Sequence, residues 1–71
     1  MDTNTINQTQ KRLLQKGLGE KIQTLRLKKG LTPGELAERL KIEPAVLDQY
    51  EKGRAIPTPE VFRRMLSVFS L

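Results

Sequence analysis

The side chains that carry out acid–base or covalent chemistry near neutral pH are almost absent from this sequence, which has no His, no Cys and a single Tyr. Without them there is no imidazole or thiolate to serve as nucleophile, general base or zinc ligand, and no disulfide. The nearest approach to a paired-carboxylate site is Glu35 and Glu38, three positions apart. On a helix that spacing puts both on one solvated face, with Glu35 in a capping role, and not in a cleft. No glycine-rich phosphate loop is present either. The chain is therefore expected to bind rather than to catalyse, with no metal and no cofactor.

What remains is charge and hydrogen bonding. Thirteen Lys and Arg against eight Asp and Glu leave a net charge of +5, a balance that favours a polyanionic partner such as nucleic acid. Lys41, Lys52 and Arg54 flank the segment Glu43-Pro44-Ala45-Val46-Leu47-Asp48-Gln49, and Lys28 and Lys29 lie upstream of it. Cations so placed grip phosphates on either side of a groove and give affinity without sequence choice. Inside the segment Gln49 is of the type that reads a base edge. Glu43 and Asp48 repel phosphates, although a carboxylate can accept a bond from cytosine N4. Solubility alone is the plainer account of any one lysine; their grouping around one segment is what points to a partner.

These residues need elements to hold them. The 71 residues allow one domain, and an aromatic content of 4% leaves Leu, Ile and Val to fill its core. Met1 to Gln10 are polar, so residues 1–16 are expected to form a flexible, polar and basic arm, with a short helical turn over Gln10 to Lys16 that Gly17 breaks. Residues 17–71 are expected to fold. Leu18, Ile22 and Leu25 make an apolar stripe on a first helix from about Leu18 to Lys29, with Gly30 as its stop. Thr32-Pro33-Gly34-Glu35 carries a cap, a first-turn proline and a capping-box glutamate, and starts a second helix that ends near Leu40. Pro44 opens a third helix ending near Lys52, with Val46, Leu47 and Tyr50 inward and Gly53 as its stop. Ile56-Pro57 forces an extended turn, and Thr58-Pro59-Glu60 opens a fourth helix on which Val61, Phe62, Met65, Leu66 and Phe69 recur. No strand pattern is found, so the fold class is all-α: a compact domain of four helices, or five. No apolar run approaches the ~20 residues that span a bilayer, and no charged-then-apolar leader is present. No membrane role is expected, and the location is expected to be cytoplasmic (nucleoid) or nuclear.

Two short helices joined by the three residues Lys41-Ile42-Glu43, with further helices on either side, make a helix-turn-helix arrangement. Ala37 supplies the small residue where the two helices cross, and Ile42 the apolar plug for the corner. The motifs Leu18-Gly19-Glu20-Lys21-Ile22, Leu25-Arg26, Gly30-Leu31-Thr32, Glu35-Leu36-Ala37 and Tyr50-Glu51-Lys52-Gly53 together resemble the lambda-repressor/Cro-like helix-turn-helix family over residues 18–69. The run from Asp48 to Pro57, with Pro44 ahead of it, is most similar to the multiprotein bridging factor branch, whose members are transcriptional coactivators.

That resemblance implies a DNA-binding transcriptional regulator that lays Pro44–Lys52 in the major groove. Thr32, Lys41, Glu43, Pro44, Ala45, Asp48, Gln49, Lys52 and Arg54 would then make its nucleic-acid contacts. The alternative is a protein-binding coactivator that reuses the same fold. It also implies a structural ion pair from Arg26 to Glu51, fixing the angle between helices. The sequence departs from the family at Pro33, where a glutamine usually holds the DNA backbone. It departs again at Lys41, where glycine is usual and a wider corner is expected. Double-stranded DNA and a transcription-machinery protein are the expected partners. The chain is expected to be a monomer, or a weak homodimer through the fourth helix with Leu27, Val68 or Leu71 marking the patch.

Overall fold

The computed structural model describes residues 8–71, with side chains from Leu13 onward. Four helices follow one another: α1 (Gln8–Lys28), α2 (Pro33–Leu40), α3 (Pro44–Glu51) and α4 (Pro59–Phe69). No strand occurs among the described residues. Residues 1–7 of the expected arm lie outside the described part.

The remainder of that arm is helical. Gly17 does not break the chain, and α1 runs through it for 21 residues instead of starting at Leu18. A glycine inside a helix costs only about 1 kcal/mol relative to alanine, too little to stop a helix whose later turns are pinned by Ile22 and Arg26, both buried. Gly19 has a second use. A Cβ at this position would lie 2.5 Å from the carbonyl oxygen of Tyr50 and 2.6 Å from that of Glu51. Only a residue without a side chain lets the backbone of α1 come this close to the end of α3. Gly53 returns the contact from the other side, since its Cβ would lie 2.8 Å from the Cα of Lys16.

All four helices end in the same way, with a left-handed residue that turns two backbone N–H groups back onto the last turn. Gly30 and Gly53 fill that position at φ 69° and 72°. Ser70 fills it after α4 and Lys41 after α2, both at φ 59°. The Lys41 N–H donates to the Glu38 carbonyl at 3.1 Å and the Ile42 N–H to that of Ala37 at 3.0 Å. The corner is therefore not widened by the missing glycine, because Lys41 adopts the glycine-like conformation itself. A non-glycine residue there carries roughly 1 kcal/mol of strain. Lys41→Gly is accordingly expected to raise stability by about 0.5–1 kcal/mol, read as a higher urea midpoint with unchanged slope.

The core is small. Leu36, Leu40 and Leu47 are fully enclosed, and Ile22, Leu31, Ala37, Tyr50, Val61, Met65 and Phe69 complete it, with Ile42 packed against it at the corner. Two residues assigned inward by pattern face out: Val46 is 37% exposed and Phe62 43%. In α3 only Leu47 and Tyr50 are buried. Val46 sits about 100° round the helix from Leu47, and two turns of helix leave too narrow an inner stripe to include it.

The N-terminus of α2 is closed by its own side chains. The Thr32 hydroxyl accepts the Glu35 N–H at 3.1 Å, and the Thr32 N–H donates to Glu35 Oε1 at 3.0 Å. The backbone bond from Thr32 holds the Glu35 carboxyl below its ordinary range, aided by the Thr32 side chain and by Arg39, against slight desolvation. A depressed folded pKa means stability that is present above the unfolded value and lost as pH falls through the folded one. Glu35→Gln is therefore expected to lower the urea midpoint at neutral pH. The gap to the parent should close as pH drops below about 4.3, the ordinary Glu value.

Candidate nucleic-acid interface

The α2–α3 corner turns one side of α3 to solvent. Leu47 and Tyr50 anchor its inner side, while Pro44, Ala45, Val46 and Asp48 are exposed and Gln49 is half-buried. α3 begins on Glu43, whose side chain makes no capping bond, and Pro44 supplies the preset φ of a first turn instead. The outward surface is thus two small apolar side chains, Ala45 and Val46, with the amide of Gln49 one turn below Ala45. Pattern reading assigned Val46 to the core and so missed it as a surface residue. Its valine identity fits either face, and only the tertiary placement decides.

Of the basic flank, Lys52 is already engaged. Its Nζ lies 3.0 Å from Asp48 Oδ2, with both side chains about half exposed. An acid four residues ahead of a base on one helix face is the favoured orientation, worth a few tenths of a kcal/mol. The pair offsets one of the two carboxylates in the segment and lets Lys52 leave for a stronger anion at small loss. Arg54 and Lys41 are exposed. Lys41 shares a shallow depression with Glu35, Glu38 and Arg39, so its surroundings are mixed in sign. Thr32, at the opposite end of α2 from Lys41, is exposed, but its N–H is taken by Glu35. Lys28 and Lys29 sit over Phe69 and Leu71, beside the end of α4.

Two arginines brace this surface from behind. Arg26 is 7% exposed. Its Nε donates to Glu51 Oε2 at 2.9 Å and its Nη2 to Glu51 Oε1 at 3.1 Å, while its Nη1 donates to the Leu31 carbonyl at 3.0 Å. One guanidinium thus joins α1, the α1–α2 turn and the last residue of α3. Arg64 of α4, which no local motif singles out, donates from Nη1 to the Leu40 carbonyl at 3.2 Å and from Nη2 to Glu60 at 2.8 Å. It caps the end of α2 where the corner begins.

Two short helices at a tight, plugged corner, the second braced by a third helix and turned outward, define the helix-turn-helix class. The chain belongs to that family: the model described as a helix-turn-helix domain matches residues 17–71. Among characterised proteins it is similar to multiprotein-bridging factor 1 of Eremothecium gossypii, 38% identical over 52 residues, covering 73% of this chain and 34% of that protein. It is also similar to human endothelial differentiation-related factor 1, 42% identical over 48 residues, covering 68% of this chain and 32% of that protein. It thus lies close to the bridging-factor branch, and spans about a third of the length of these relatives. Among solved structures, the clp gene regulator ClgR of Corynebacterium glutamicum superposes with a TM-score of 0.75 at 30% identity, covering 80% of this chain and 61% of that one.

Proposed function

We propose that this domain is a DNA-binding transcriptional regulator that places α3 in the major groove. The observation that carries this is the outward face of α3, held by Leu47, Tyr50 and the Arg26–Glu51 pair and left exposed among the described residues. Ala45 and Val46 suit the methyl group of thymine, and Gln49 the N6 and N7 edge of adenine. Glu43, Pro44 and Asp48 border the read bases, with Asp48 suited to a cytosine N4 donor. Lys41, Lys52, Arg54 and the Thr32 hydroxyl serve the phosphates. Likeness to a gene regulator of related structure supports the same role, and a nucleoid or nuclear location follows from it.

The test is selection of random duplexes by the purified chain at two salt concentrations, followed by anisotropy titration of the enriched site. An adenine–thymine-containing motif is expected. If about six phosphates are neutralised, affinity should fall about 10³-fold between about 50 and 200 mM salt. Gln49→Ala should lower discrimination at one base pair by about 1–3 kcal/mol and leave the salt slope unchanged. Absence of binding at low salt would end this proposal.

An adaptor role has one observation in its favour: the α2 N-terminus and Asp48 are satisfied internally, by Glu35 and Lys52, which leaves the corner less cationic than the net charge implies. Similarity to bridging factors points the same way. Asp48→Lys separates the two roles. Loss of sequence preference supports the DNA reader, whereas a gain in unselective DNA affinity together with loss of a protein contact supports the adaptor.

A further inference from the structure

Away from α3, on the opposite use of α1, an apolar groove opens between α1 and α4. Its volume is about 160 Å³. Leu18, Ile22 and Leu25 of α1 form one wall, and Phe62, Leu66 and Leu71 belong to the other side, with Met65 and Phe69 beneath. Phe62 is 43% exposed and Leu71 72%, so large apolar side chains stand at the rim uncovered. Exposed apolar area gathered in one concave strip, rather than scattered, marks an interaction site.

The polar part of the lining is of one sign. Lys21 borders the groove at Leu18 and Phe62, and Lys28 and Lys29 border its continuation at Phe69 and Leu71. All three are exposed, and none pairs with a carboxylate among the described residues. Among the described residues no Asp or Glu lines either stretch. Lys21 and Lys28 fall on one edge of α1, about two turns apart, and Lys29 follows just past the end of the helix. The strip is thus an apolar floor with a lysine edge.

We propose that this groove docks an amphipathic helix of a partner protein, with leucine-type anchors on one face and carboxylates along the flank. Anchors at helical spacing fill such a groove, and acidic flanks meet the lysine edge. A second copy of this chain is the poorer occupant. A two-fold pairing with the two strips antiparallel would bring the lysine edges of both copies together, and like charges facing each other oppose association. A duplex is poorer still, because the floor offers no donors to phosphates. The occupied groove and the face of α3 are separate surfaces, so docking leaves DNA contact open.

The test uses the ¹⁵N-labelled full chain and two synthetic amphipathic helices with the same leucine face, one flanked by Glu and the other by Lys. The Glu-flanked peptide is expected to shift resonances at Lys21, Ile22, Leu25, Phe62 and Leu66 and to leave Ala45, Val46 and Gln49 unmoved. Reversing Lys21, Lys28 and Lys29 to Glu should weaken that peptide about tenfold or more and make the Lys-flanked peptide the better ligand. Phe62→Ser, a change at an exposed site, should weaken both. Equal binding of the two peptides by the parent chain, shifts confined to α3, or no binding of either peptide would overturn the proposal. So would a tight dimer of the chain alone at micromolar concentration whose interface includes Phe62.

Discussion

Gly19→Ala is expected to destabilise the domain by about 2–4 kcal/mol, although alanine is the better helix former. For a domain of this size that is a fall in melting temperature of roughly 10–25 °C. Propensity alone gives the opposite sign, a gain of about 1 kcal/mol. Packing wins because the added Cβ meets two backbone carbonyl oxygens, of Tyr50 and Glu51, at 2.5 and 2.6 Å. Backbone at a helix end cannot rotate aside as a side-chain tip can, so α1 and α3 must separate. Separation pulls on the Arg26–Glu51 pair and tilts the outward face of α3. Gly17→Ala is the internal control: nothing lies within 4 Å of its Cβ, so the propensity gain should appear there undiminished. Thermal unfolding of the two variants side by side decides the matter. If Gly19→Ala proved as stabilising as Gly17→Ala, the close approach of α1 and α3 would be wrong.

These two glycines also show where sequence reading stops. The starts of α2 and α4 are legible because their signals are local: Thr32 and Thr58 accept bonds from N–H groups three residues ahead, beside a proline that cannot donate. The stops at Gly30 and Gly53 are legible for the same reason. Whether a glycine inside a helical stretch ends it depends on what stands across from it. For Gly19 that is the end of α3, more than thirty positions on, and no local pattern reports it. Lys41 is the converse, a residue type that argues against the tight corner. The buried Leu40 and the half-buried Ile42 on either side of it hold the turn closed regardless. For the candidate interface, the position of α3 and its anchors Leu47 and Tyr50 can be read from period and spacing. The outward turn of Val46 cannot, because an eight-residue helix is too short for the pattern to fix its rotation. The pairing of Asp48 with Lys52 is written in their spacing, while Arg64 reaching Leu40 is purely tertiary.

Glu51→Ala should cost about 3–5 kcal/mol, the largest loss expected from any polar substitution here. The reason is not the strength of the pair but what is left behind. Arg26 is enclosed by α1, the α1–α2 turn and α3, and without Glu51 its guanidinium keeps, among the described residues, only the Leu31 carbonyl as acceptor. A desolvated cation with most of its donors unpaired carries the full penalty of leaving water. Arg26→Lys should also be costly, since an ammonium cannot make the two-pronged contact and reach Leu31 together. Replacing both partners removes the charge problem at its source. The double variant Arg26→Met with Glu51→Leu is therefore expected to recover to within about 1 kcal/mol of the parent. The double-mutant cycle then gives a large coupling energy even though the net contribution of the pair to stability is small. Denaturant unfolding of the parent, both single variants and the double variant measures every term. A loss under about 1 kcal/mol for Glu51→Ala would mean that water reaches Arg26 and that the pair does not set the angle of α3. If the double variant is stable but binds its partner poorly, the pair exists for orientation, since apolar packing can hold the helices together without fixing the direction in which α3 faces.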